Sequence, residues 1–269
     1  MRPFTLIVAP FHLGLENVGV GAGPTRLLEA GADQILSTRG MPAQVVHMRA
    51  IGNPVTDLDA VTDLNRQIRH AVMQARDEDS IPVTLAGNCI TCLGTLSALD
   101  TARIGIVWLD AHGDFNTPES SVTGYLDGMA LAAALGHCHD ELRERTALDT
   151  VPAELNTLLL GVRDLDALEE ERLAQSLVTV RPHDRLGDTQ ELLDALRERV
   201  DAVYLHVDVD FTGPGGLPRE MACGLVDHIQ QTLPVVAVNV TNYNPEVDGG
   251  GVMLGCAAGL LGRVRELPR

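Results

Sequence analysis

The stretch Ile104-Gly105-Ile106-Val107-Trp108-Leu109-Asp110-Ala111-His112-Gly113-Asp114 decides how the 269-residue chain is read. Its first six residues are apolar without polar alternation, the pattern of a strand buried on both faces of a parallel sheet. Its last five are dense in groups that bind cations. In an open parallel sheet, ligands gather where strands reach their carboxyl ends, so this chemistry stands where such a sheet would use it. While the backbone stays extended, residues 110, 112 and 114 project to one side and bring two carboxylates and an imidazole together.

A second run, Val203-Tyr204-Leu205-His206-Val207, leads into Asp208-Val209-Asp210 with the same spacing. Two carboxylates side by side at the end of a buried strand repel. Ionising them in apolar surroundings is costly unless a cation compensates. Hard carboxylates with one imidazole suit manganese, iron or zinc better than calcium, and two carboxylates able to bridge suit a two-metal hydrolytic centre. A lone Asp-x-Asp is a common strand ending with no metal. An Asp-x-His-x-Asp on one strand and an Asp-x-Asp on another is much more specific.

Outward from these two strands, similar runs recur at Leu6–Ala9, Gln44–Met48, Pro82–Leu85, Thr157–Gly161, Leu177–Val180 and Val235–Val240, and the second strand itself reads as Ala202–Val209. With Ile104–Leu109 they make eight candidate strands. Amphipathic segments with helical spacing lie between them at Pro24–Ser37, Val61–Ala75, Gln190–Val200 and Leu225–Thr232. Gly249–Gly251 reads as a loop entering a final apolar helix. This alternation predicts a three-layer α/β fold. No low-complexity linker or repeat divides the chain, so a single domain over residues 1–269 is expected.

Composition removes several function classes. Acidic residues outnumber basic ones 37 to 20, for a net charge of −17, and all 20 basic residues are arginine. Without lysine there is no Schiff-base catalysis, no pyridoxal phosphate attachment and no lysine-dependent phosphate loop. With 3% aromatic residues and no basic block, a nucleic-acid partner is not expected, and anionic lipid is disfavoured likewise. No apolar stretch approaches the roughly 20 residues of a membrane span. Met1–Pro10 reads as a first strand rather than a signal peptide. Five cysteines, at 89, 92, 138, 223 and 256, fit a reducing cytoplasm better than a disulfide framework.

These residues resemble the ureohydrolases, the family of arginase, agmatinase and their relatives. Gly21-Ala22-Gly23-Pro24 is similar to the family's early Gly-Pro segment, and Ala86-Gly87-Asn88-Cys89-Ile90 occupies the place of its Gly-Gly-Asp-His-Ser motif. Asp110–Asp114 matches Asp-Ala-His-x-Asp, and Asp208–Asp210 matches Asp-x-Asp. The resemblance implies an α/β/α fold around a central eight-stranded, mainly parallel sheet. It also implies a trimer or hexamer, and hydrolysis of a linear amidine C–N bond with two manganese ions. Carried over by position, Cys89, Asp110, Asp114 and Asp208 would hold one metal, and His112, Asp110, Asp208 and Asp210 the other. Asp110 and Asp208 would bridge, a hydroxide between the metals would attack the amidine carbon, and Asp114 would orient it.

Three positions depart from the family pattern. Cys89 replaces a His ligand, as in a branch that resembles hydroxyarginine hydrolases; a softer thiolate admits iron or zinc beside manganese. Without the other motifs, Cys89 would read as a buried thiol under a helix. Asp127 stands in place of the catalytic His thought to shuttle protons to the leaving amine. It reads either as an acid with a raised pKa or as an N-terminal cap before Met129–Leu135. Asn242 replaces the Glu that pairs with a guanidinium, keeping hydrogen bonds but no counter-charge.

Asn116 and Thr123 stand where arginases hold the substrate α-carboxylate, and Asp166 where they hold the α-amino group; the alternatives are a turn and a helix cap. Together these positions imply an amino-acid-headed substrate with a guanidino, N-hydroxyguanidino or other amidine tail. The rival is a non-catalytic metal-binding relative acting as an assembly or regulatory subunit, motivated by positions 127 and 242. Cys89-Ile90-Thr91-Cys92 has redox-pair spacing, but a metal-ligating Cys89 cannot cycle freely. His137-Cys138-His139 reads as a solvated helix end, and His206 as a residue that touches the site or packs.

Overall fold

All eight apolar runs become strands of one sheet in the computed structural model, which describes residues 2–38, 40–50, 56–213 and 215–265. In chain order the elements are β1 (Phe4–Ala9), a small hairpin of β2 (Phe11–His12) and β3 (Leu15–Glu16), α1 (Gly23–Glu29), α2 (Ala32–Ile35) and β4 (Gln44–His47). Then come α3 (Asp57–Asp77), β5 (Ile81–Ala86), α4 (Cys92–Leu96), β6 (Ile104–Leu109), α5 (Ala130–Ala134), α6 (Asp140–Thr146) and β7 (Thr157–Val162). The last are α7 (Ala167–Gln175), β8 (Thr179–Pro182), α8 (Thr189–Arg197), β9 (Ala202–Asp208), α9 (Arg219–Thr232), β10 (Val235–Thr241) and α10 (Val252–Leu261).

The large sheet runs β4-β1-β5-β10-β9-β6-β7-β8, and every pairing in it is parallel. Alternate residues of each strand feed opposite layers. In β6, Val107 and Leu109 join a core with α1, α8, α9 and α10, while Ile106 and Trp108 join one with α4, α5 and α6. Both faces are therefore covered, which is why the inner strands are largely apolar, while the edge strands β4 and β8 are only partly buried. The architecture is the three-layer α/β/α fold with an eight-stranded parallel sheet.

One helix differs from its reading. Pro24–Ser37 is two helices, because the chain breaks after Glu29 and passes through Gly31 at φ +88° before restarting at Ala32. Helical spacing survives such a break, since the apolar face resumes on the same side of the sheet. By contrast α3 extends beyond Val61–Ala75, and Thr56 caps it by accepting the Asp59 N–H at 3.1 Å.

The crossover that matters is β10, which lies between β5 and β9, with β6 on the far side of β9. The carboxyl ends of these four strands lead to Cys89, Asn242, Asp208 and Asp110. Gly87 lets the β5 turn press against the β2 backbone, since a Cβ there would collide with the Phe11 carbonyl oxygen. Among the described residues, no helix is long and apolar enough to cross a membrane.

Candidate metal centre

Asp110 follows β6 directly and is fully buried. One carboxylate oxygen accepts the His112 N–H at 2.8 Å and the other the Trp108 Nε1–H at 2.9 Å. The extended alternation expected through residue 114 does not persist. Strand geometry stops at Leu109, and Asp114 lies in the left-handed region at φ +49°. A turn, rather than strand pleating, returns the Asp114 carboxylate to the site, where its Oδ2 is buried without a partner.

The second strand end works similarly. Asp208 closes β9, and its Oδ1 accepts the Asp210 N–H at 2.9 Å as the chain enters a 3₁₀ turn over Val209–Phe211. Asp210 thereby meets His112, whose Nδ1 is 3.1 Å from Asp210 Oδ2 and 3.4 Å from Asp110 Oδ1. From β5, a 3₁₀ turn over Cys89–Thr91 sets the Cys89 sulfur 3.2 Å from Asp208 Oδ2.

Two sets of donor atoms result, Cys89/Asp110/Asp208 and Asp110/His112/Asp210, with atoms in each set within 4.8 Å of one another. Asp110 belongs to both. Asp208 belongs to the first set alone, and Asp114 adds its orphaned oxygen beside them. Burial pushes the Asp114, Asp208 and Asp110 carboxyls above the usual range. Hydrogen bonds to Asp110 and then Asp210 hold the His112 imidazole protonated, pushed up to about 12. Burial, then the Asp208 charge, pushes the Cys89 thiol well up. Buried acids with an unpartnered oxygen and a shared carboxylate between two donor sets fit a pair of divalent cations, which would supply the missing positive charge.

Above the donor sets opens a cavity of about 440 Å³. His112, Asp114, Asp208 and Asp210 line its floor, and Asn116, Thr123, Asp127, Asp166 and Asn242 line it as well. Every substrate-side residue named from the sequence thus reaches one space, with Cys89 and Asp110 buried beneath it. A larger cavity of about 610 Å³, lined by Arg69, Arg76 and Asp100, sits at the amino ends of β6 and β10. The donor groups follow the carboxyl strand ends, not the greater volume.

Asp127 caps no helix. Its buried carboxylate accepts the Ile90 N–H and the Asn88 amide, each at 2.9 Å, and burial working against those bonds pushes it up to about 6. Asn242, at φ +59°, turns its amide onto Asp208 Oδ2 and, at 3.2 Å, onto Cys89 Sγ. Asp166 takes the helix-cap reading and also lines the cavity. It forms a capping box with Glu169 at the start of α7, and its Oδ2 accepts the Asn116 amide at 3.1 Å on the cavity wall. Thr123 accepts the Tyr125 N–H at 3.1 Å.

Some residues carry more than the sequence suggested. His206 is fully buried with Nε2 3.1 Å from Cys89 Sγ, so it touches the site; its one signal was a polar side chain inside an apolar strand. Glu169 lines the cavity and accepts the Phe115 N–H at 2.8 Å, and its spacing from Asp166 was the cue. His137–His139 follows α5 with His137 exposed and bonded to Glu154 at 2.7 Å, but Cys138 is buried. Cys92 faces the Ala130 carbonyl, and all five cysteines are free.

Residues 2–264 match the sequence model of the arginase family. The arginase of Bacillus caldovelox is 28% identical over 291 residues, covering 97% of each chain, and that of Staphylococcus aureus strain MSSA476 is 27% identical over 294 residues, covering 97% of this chain and 96% of its own. Among solved structures, the Bacillus caldovelox arginase superposes with a TM-score of 0.87 at 27% identity over 98% of each chain. The Bacillus cereus arginase gives 0.87 at 25% identity, over 97% of this chain and 98% of its own. The agmatine ureohydrolase of Thermoplasma volcanium, at 18% identity and a TM-score of 0.68 over 97% of this chain and 89% of its own, shares the fold. The chain belongs to the arginase family.

Proposed function

We propose that this hydrolase of C–N bonds acts on an amino-acid-headed linear amidine, a guanidino or N-hydroxyguanidino acid. The observation that carries the reading is the single cavity joining the donor sets to Asn116 and Asp166 at one wall and to Asp127 and Asn242 at another. Asp166 and Asn116 offer a carboxylate and an amide to an α-amino and α-carboxylate head. Two divalent ions, manganese first with iron or zinc admitted by the sulfur, would polarise the amidine and lower the pKa of a water to supply the nucleophile at neutral pH. Cys89, Asp110, Asp114 and Asp208 would hold one, and His112, Asp110, Asp208 and Asp210 the other.

The chain's own groups do the rest. Asp114, with one oxygen free of any protein donor, orients the attacking water. Asp127, pushed up to about 6, carries a proton part of the time near neutrality and passes it to the leaving nitrogen. Asn242 supplies a hydrogen bond without charge, which suits a tail less basic than a plain guanidinium. We also propose a single domain, a trimer or hexamer, and a reducing compartment such as the cytoplasm, the last from five free cysteines.

The test is urea-type product release from arginine, N-hydroxyarginine, guanidino acids and agmatine, with manganese, iron or zinc supplied. Amino-acid-headed substrates are expected to turn over at least about tenfold better than agmatine, which leaves the head contacts unfilled. No turnover of any of them with any metal would sink the reading. The engagement of the Asn242 amide nitrogen with Asp208 and Cys89 favours one rival, a non-catalytic metal-binding relative serving as an assembly or regulatory subunit. Fewer than two bound ions per chain would support that rival.

A further inference from the structure

Three side chains able to donate surround the Cys89 sulfur. His206 Nε2 lies 3.1 Å from it, Thr241 Oγ1 3.1 Å and Asn242 Nδ2 3.2 Å. A cysteine that ligates a metal does so as a thiolate, which only accepts hydrogen bonds. A ring of donors is therefore what such a sulfur requires, and an inert buried thiol has no use for three. His206 is the most constrained of them. Its ring stacks on Trp108 with centroids 3.5 Å apart and planes 6° from parallel. Its Nδ1 is 2.8 Å from the buried Tyr204 hydroxyl. When that hydroxyl donates to Nδ1, the proton of a neutral imidazole sits on Nε2, which faces the sulfur at 3.1 Å and Thr241 Oγ1 at 3.2 Å. Trp108 completes the frame, because its Nε1–H is spent on Asp110 Oδ2 at 2.9 Å, tying the plane of the stack to the shared carboxylate.

We propose that His206 is a positioning residue for Cys89: its Nε2–H, aimed by Tyr204 and Trp108, holds the sulfur toward Asp110 and Asp208 and withdraws electron density from it. This rests on the reading of Cys89 as a metal ligand. It assigns a task to the one imidazole in the strands around the site that no metal-binding motif claims.

Cobalt(II) is the probe, because a sulfur ligand gives it a near-ultraviolet charge-transfer band. The wild-type protein loaded with cobalt is expected to show that band, and Cys89→Ser to lack it. His206→Phe keeps a ring against Trp108 but removes the donor. The band should move to longer wavelength and one of the two cobalt ions should bind about 10–100-fold more weakly, while the ion at His112 and Asp210 is retained. His206→Gln, whose amide nitrogen reaches the place of Nε2, should restore band position and affinity. Tyr204→Phe removes only the aiming hydroxyl, should shift the band in the same direction, and decides the matter if His206→Phe does not fold. A band present in the wild type and unmoved in the variants, or merely weakened without a shift, overturns the role of His206 and leaves Cys89 as a ligand. A wild-type protein with two bound cobalt ions and no band overturns both readings.

Discussion

Asp127 and Ile90 are joined by a 2.9 Å hydrogen bond from the Ile90 N–H to the Asp127 carboxylate, so the residue standing in place of a proton shuttle also braces the turn that carries Cys89. The Asn88 amide adds a second brace at 2.9 Å. The two tasks separate by substitution. Asp127→Ala leaves the buried Ile90 N–H unpaired, which costs about 1–3 kcal/mol, and should lower both thermal stability and turnover. Asp127→Asn keeps an acceptor for that N–H but has no proton to give. Its stability should fall less than that of Asp127→Ala while kcat drops by about 10²–10⁴. Thermal melts beside kcat measure this, and an Asp127→Asn enzyme with full kcat would leave the side chain only its bracing role.

Chelated protein should lose stability as pH rises. Burial raises the Asp110, Asp114 and Asp208 carboxyls above 3.8, so the folded state holds protons that the unfolded chain has released. Their stabilising contribution is complete below 3.8 and declines above it. His112, raised from 6.5 to about 12, adds a decline of the same sign above 6.5. Metal replaces those protons, and its affinity should climb over the same window. Calorimetry of chelated and manganese-loaded protein from about pH 5 to 8 is the measurement. A chelated Tm that rises across that range contradicts the assignment.

Asp114 is expected to show opposite effects on stability and activity. Its buried, unpartnered oxygen makes the carboxylate a burden without metal, so Asp114→Asn should raise the Tm of chelated protein. The same change should lower kcat about 10²-fold or more by removing the acceptor that orients water. A variant with unchanged kcat would remove Asp114 from the chemistry.

Asp166 caps α7 and lines the cavity, so its proposed contact with the substrate head can be separated from its structural one. Asp166→Ala should cost about 0.5–2 kcal/mol through the lost cap of α7. Because the cavity wall loses its carboxylate, KM for amino-acid-headed substrates should rise while KM for agmatine stays within about twofold. Equal rises for both would show that the helix, rather than the head contact, had failed.

Gly87→Ala should destabilise by about 1–3 kcal/mol and reduce metal uptake. The added Cβ meets the Phe11 carbonyl oxygen and displaces the Cys89 turn. Urea unfolding and metal content measured together check this; an unshifted unfolding midpoint would show that the turn has room the structure does not allow.

The inner strands were legible because they are mostly β-branched or aliphatic runs buried on both faces, and Ile104–Leu109 was read to the residue; the edge strands β4 and β8 are only partly buried. The donor clusters were legible because Asp110, His112, Asp208 and Asp210 sit at two such strand ends. What pattern could not carry was the turn geometry beyond those ends. Asp114 arrives through a left-handed residue, not by pleating, and Gly31 divides a helix whose apolar spacing looks unbroken. Nor could sequence place partners far apart in the chain. His206 meets Cys89 across 117 residues and Asn242 meets Asp208 across 34. The cap that was one of two readings of Asp127 rested on helix starts favouring that residue type, but its carboxylate follows the stronger local demand of the Ile90 N–H.

The place of β10 has a consequence for how the protein comes into being. Because that strand wedges between β5 and β9, the turn bearing Cys89 and the end bearing Asp208 have no common neighbour until Val235–Thr241 is made and inserted. A nascent chain lacking it carries an open β5 edge and donor groups on unconnected halves. Only the Cys89/Asp110/Asp208 set therefore waits for the last strand, because the β6–β9 pairing alone brings Asp110, His112 and Asp210 together.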